Sequence, residues 1–114
     1  MDARYVVDLL YGSVSDLGTV AGELERTLGV TFELHDSDWR GGDYLRTAGW
    51  WTPDSETFLV QRNQDLDEPA EAEHAEYPTL LYVESTVRGS ELEAVLKSTS
   101  LVLLRRTQRD APRA

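Results

Sequence analysis

Between Asn63 and Pro78 the chain carries six acidic residues and no lysine or arginine. On either side stand segments rich in strand formers: Glu56-Thr57-Phe58-Leu59-Val60-Gln61-Arg62-Asn63 before it, Tyr77-Pro78-Thr79-Leu80-Leu81-Tyr82-Val83-Glu84 after it. A run this charged has little to bury, so it is expected to connect two strands on the outside of a sheet. It reads as a solvent-facing loop or as a short exposed helix after Pro69, the residue type favoured at a helix start. Leu80 to Val83 is apolar without alternation, which fits a strand buried on both faces.

The remaining segments supply the rest of a sheet and its helices. Tyr5, Val7, Leu9 and Tyr11 alternate with Val6, Asp8 and Leu10, and both sets are largely apolar, as in an internal strand. Ser13 or Ser15 is expected to cap a helix with Asp16 in its first turn. Leu17, Val20, Ala21, Leu24 and Leu28 form its apolar stripe, and Gly29 is a left-handed stop. Val30, Phe32 and Leu34 alternate with Thr31, Glu33 and His35, predicting a strand with the first set inward. Gly41-Gly42 marks a bend, Tyr44 to Gly49 a further strand, and Trp50-Trp51-Thr52-Pro53 a turn into the strand at Glu56. Ser90 with Glu93 has the spacing of a capping box ahead of Leu92, Val95 and Leu96. Leu101 to Leu104 completes the set as a strand apolar on both faces.

The order is therefore β-α-β-β-β-β-α-β. It predicts an α+β fold with one mostly antiparallel sheet, two helices on one face, and a ferredoxin-like arrangement with extra hairpin strands. At 114 residues one domain is expected, 1–107, followed by a frayed basic tail, 108–114. Zero cysteines exclude disulfides, thiolate nucleophiles and Cys-ligated metals. Met1-Asp2-Ala3-Arg4 is unlike the start of a secretory leader, and no apolar run approaches the ~20 residues that cross a bilayer, so a cytoplasmic protein is expected.

Catalytic patterns are missing. There is no glycine-rich dinucleotide or phosphate loop and no Gly-x-Ser-x-Gly. The histidines are His35 and His74, and the second sits in the acidic run, where the negative field favours its charged form over metal ligation. His35-Asp36-Ser37-Asp38 with Asp43 offers oxygen ligands, yet lacks calcium-loop spacing and reads as a solvated turn. Asp43 and Glu84 are spread too widely in the chain to be paired as acid and base from sequence alone. Neither a metal nor a cofactor is called for. Enzymatic work stays open, but the residues favour binding.

Charge says what kind of binding. The formal net charge is −10. Four arginines against one aspartate in the last ten residues make a local +3, which leaves −13 on the body. Such a surface repels nucleic acid and anionic membrane and steers basic proteins toward it. The expected contact residues are Asp65, Asp67, Glu68, Glu71, Glu73 and Glu76, with Trp50, Trp51, Tyr44 and Tyr77 as aromatic anchors. The alternative is a small-molecule-binding or enzymatic ferredoxin-like dimer. Monomer and homodimer are both compatible with the sequence.

Arg40-Gly41-Gly42-Asp43-Tyr44-Leu45-Arg46, the strand ending Gln61-Arg62-Asn63, the acidic run and Tyr77-Pro78-Thr79-Leu80-Leu81-Tyr82-Val83 together resemble small stand-alone proteins of actinobacteria. Some of those look similar to immunity proteins encoded beside polymorphic toxins. The likeness spans roughly Trp39 to Glu84 and implies an inhibitor that offers carboxylates to a cationic toxin surface. It carries over no individual functional residue.

Overall fold

The computed structural model describes residues 5–37, 42–48, 56–64 and 67–110. Six strands and two helices follow in the expected order: β1 (Tyr5–Ser13), α1 (Leu17–Leu28), β2 (Phe32–Ser37), β3 (Gly42–Thr47), β4 (Thr57–Arg62), β5 (Thr79–Thr86), α2 (Gly89–Leu96) and β6 (Val102–Asp110). Among the described residues a 3-10 turn, Ala72–His74, lies between β4 and β5. The strands form one antiparallel sheet in the order β2-β3-β4-β5-β1-β6. Trp39, Trp50, Trp51 and Asp65, all named above, lie outside the described residues.

Register sorts the sheet into two faces. Leu9 opposes Val83, Tyr11 opposes Leu81, and Phe58 and Val60 oppose the same two β5 residues from the other side. These side chains share one buried cluster with Val20 and Leu24 of α1 and Leu92 and Leu96 of α2, so both helices pack on this face. Val20, Leu24 and Leu96 are wholly buried; each such side chain contributes roughly 1.5–3 kcal/mol by leaving water. The stripe read from the sequence therefore lies where it should, with Leu17 and Leu28 at its margin.

Local details differ for identifiable reasons. Asp16, not Ser13 or Ser15, is the N-cap of α1, and its carboxylate accepts the Thr19 N–H at 2.8 Å. Ser13 is fully buried instead, where its hydroxyl accepts the Ser15 N–H and meets the Ser100 hydroxyl. Gly29 ends α1 in the left-handed region at φ 71°, its N–H bonded to the Glu25 carbonyl. The capping box at Ser90 and Glu93 does not form: α2 begins at Gly89, and Glu93 is drawn to Arg106 across on β6.

Two strands expected to be more deeply placed are edges. Leu34 does point to the helix side, opposite Leu45, but on the outermost strand it is 66% exposed. Val102 and Leu103 on β6 are exposed for the same reason, because β6 pairs only with β1 among the described residues. β6 itself is longer than expected. Gln108, Arg109 and Asp110 pair with Val7, Val6 and Tyr5, so the ladder continues three residues beyond the boundary drawn at 107.

Candidate partner-binding strap

Of the loop and the short helix expected after Pro69, the described residues show one 3-10 turn, Ala72–His74, inside an otherwise irregular but fastened segment. Residues 67–78 form a strap across the sheet face opposite the helices. Tyr82 and Gly12 belong to that face, since Tyr82 opposes Leu10 and Leu59, and Gly12 opposes Leu80. A Cβ placed on Gly12 would come within 2.6 Å of Cγ of Tyr77, so this glycine lets the tyrosine ring sit directly on β1. Leu10, Leu59 and Leu80, on the strap side, are buried. Tyr77, expected as an aromatic contact residue, is half-buried and anchors the strap on β1.

Asn63 ties the strap at its neck. Its side-chain amide donates to the His74 carbonyl at 2.9 Å and the Tyr77 carbonyl at 3.0 Å, and its Oδ1 accepts the Glu71 N–H at 2.8 Å. One side chain therefore meets three backbone groups that a bare loop would leave to solvent. The backbone adds His74 N–H to Glu71 C=O and Tyr77 N–H to His74 C=O.

Glu71 holds the middle down. Tyr82 Oη donates to its Oε2 at 2.5 Å, and Arg105 Nη1 donates to its Oε1 at 3.2 Å. Burial pushes the carboxyl's pKa up. The Tyr82 hydroxyl, Arg105 and His74 outweigh that and hold it below the usual range. The charge of Glu71, one of the expected contact residues, is thus met inside the molecule by Tyr82 and Arg105. Asp67, Glu68, Glu73 and Glu76 remain exposed along the strap. Tyr44 is half-buried on β3, stacked on His35 with ring centroids 5.4 Å apart, and also serves packing.

The basic C-terminal segment has a related job. Arg105 pairs with Glu71, Arg106 with Glu93, and Arg109 with Asp8 at 2.9 Å. Asp8 also accepts the N–H of Ser85, which sits in the left-handed region at φ 59° where β5 slips register against β1. Burial raises the Asp8 carboxyl, but Arg109 and the Ser85 N–H bring it below its ordinary value. Glu56 shows the same balance: burial raises it, and Arg88 at 2.7 Å with the Thr86 hydroxyl lowers it further. The arginines of β6 are therefore staples between the sheet and its surroundings.

Beside the neck of the strap lies an open cavity of about 390 Å³, bounded by Val14, Asp16, Leu17, Arg62, Asn63 and Pro78 among others. Asp36 and Asp43 oppose each other across β2 and β3, and no group of three or more His, Asp or Glu able to hold a metal occurs among the described residues. No helix among those residues is long and apolar enough to cross a membrane.

The anchors Asn63, Tyr82, Arg105 and Gly12 were not singled out as site residues from sequence. One signal was available: a six-acid run and a cationic segment in the same short chain are natural counterparts. Comparison with known proteins finds no matching family model, no matching curated protein and no matching solved structure.

Proposed function

We propose that this chain is a protein-binding module whose strap presents Asp67, Glu68, Glu73 and Glu76 to a basic partner. The observation that carries the reading is the clamp itself. Asn63, Glu71 and Tyr77 fix the backbone of an acidic segment that would otherwise be mobile, so less ordering entropy is lost on association. Fixed carboxylates on a chain of net charge −10 steer a cationic surface in and select its register. The resemblance to immunity proteins makes a basic, nucleic-acid-cleaving toxin the favoured form of that partner, with carboxylates standing where phosphates would bind. Asp65, Trp50 and Trp51 remain part of the proposed surface. The sheet supports it in ferredoxin-like fashion, with β4-β5-β1-β6 as the basic four strands and β2-β3 as the added hairpin.

The test is affinity capture from the source cell's lysate at low and at moderate salt. One stoichiometric basic protein, retained at low salt and released as salt rises, supports the reading. A second reading rests on the 390 Å³ cavity, which is within the ~300–1,000 Å³ of small-molecule sites. A co-purifying small molecule with no protein partner would favour it.

A further inference from the structure

The outer edge of β2 is an open hydrogen-bonding edge whose side chains match themselves. The Thr31 carbonyl accepts the Ala48 N–H at 2.7 Å, in step with the β2–β3 register. In an antiparallel ladder the inward and outward backbone groups alternate, so Glu33 and His35 bond toward β3, while Phe32, Leu34 and Asp36 direct their N–H and C=O outward. Nothing pairs with that side among the described residues. Edges of this kind, left uncovered, are templates for another strand. Leu34, two-thirds exposed, stands at the middle of it.

We propose that a second copy of this chain occupies the edge, the two β2 strands running antiparallel about a two-fold axis at Leu34. In that register each Leu34 exchanges backbone bonds with its counterpart, and Phe32 does so with Asp36 of the other copy. Glu33 then lies opposite His35, in the closer, non-hydrogen-bonded type of pair where side chains interact best. A carboxylate meets an imidazole, and the two exposed leucines cover each other on the helix side. No like charges are directly opposed. A shift of one residue would break this match, since side chains alternate faces with period two. The β6 edge offers no such match, because two copies would bring together strands carrying Arg105, Arg106 and Arg109.

The joined sheet would be continuous through both copies, with the acidic straps on the same side of it and far from the axis. The contact goes beyond the strap reading and does not depend on it. A short edge with one leucine pair lies at the small end of interfaces, so a dissociation constant on the order of tens of micromolar is expected.

Sedimentation velocity over roughly 1 µM to 1 mM tests it. The wild-type chain should pass from monomer to dimer. Leu34→Lys, at an exposed position, should stay folded by circular dichroism and monomeric throughout. Glu33→Lys should weaken the dimer roughly tenfold, about 1.4 kcal/mol, and adding His35→Glu in the same chain should restore it, because only the proposed register opposes those positions. A wild-type monomer at about 1 mM overturns the proposal and leaves the edge to a foreign strand. A dimer indifferent to Leu34→Lys overturns it too, and moves the contact elsewhere on the surface.

Discussion

Glu71 shows how one carboxylate can be both acidic decoration in a sequence and a fastening in a fold. Its two oxygens are divided between the Tyr82 hydroxyl and Arg105, and its own N–H is held by Asn63. Glu71→Ala removes one acceptor from the hydroxyl and one from the guanidinium, and should cost about 1–3 kcal/mol in urea unfolding. Gly12→Ala should cost a similar ~1–3 kcal/mol, because the added methyl meets the Tyr77 ring at 2.6 Å. Acid should act through the same kind of group. Asp8, Glu56 and Glu71 all have folded pKa values below their ordinary 3.8, 4.5 and 4.5. As pH falls through those ordinary values, the unfolded chain takes up protons first. The stability these groups add is therefore complete above about pH 5 and drains away down to their lowered folded values. Urea midpoints measured between about pH 6 and pH 3 should fall in that window, and less steeply in Glu71→Gln. Tyr11 is different: burial, reinforced by Glu93 and opposed by Arg106, lifts its hydroxyl to about 12, so it stays protonated across this range.

At the scale of elements, the strap behaves as a small unit tied at its neck. Asn63→Ala removes the side chain that meets Glu71, His74 and Tyr77, and should speed amide exchange at Glu71 and Tyr77 by roughly tenfold or more. The amides of β1 and β5 should be unaffected, and a global loss of protection would instead make the strap part of the core. Among the described residues each α-helix and strand lies where the sequence placed one, because apolar patterning is a local signal: α1 carries it as a stripe from Leu17 to Leu28, and β5 carries it as an unbroken apolar run. Burial is not local. Leu34 has the right face, but only the sheet order reveals that β2 is an edge. The capping box failed for another reason: Ser90 and Glu93 have the right spacing, yet Arg106 competes for the glutamate from a distant strand. The strap was the least legible part, since the partners of Asn63 and Glu71 come from β5, β6 and the loop's own backbone.

Across the whole molecule, the charge divides into two populations. Asp8, Glu56, Glu71 and Glu93 are paired with the arginines Arg109, Arg88, Arg105 and Arg106, and these contacts hold the structure together. Asp67, Glu68, Glu73 and Glu76 stay exposed and belong to the proposed contact surface. The division predicts that reversing the exposed acids leaves folding nearly intact, with unfolding changed by less than ~0.5 kcal/mol per site, while binding suffers. The most direct measurement is the affinity of the captured partner for the wild-type chain and for a variant carrying Asp67→Lys, Glu68→Lys, Glu73→Lys and Glu76→Lys, each across a series of salt concentrations. A binding strap predicts a loss of roughly a hundredfold or more at low salt, shrinking as salt screens the charges. Equal affinity for both chains, with the same salt dependence, would contradict it and leave the strap as a cover for the sheet alone.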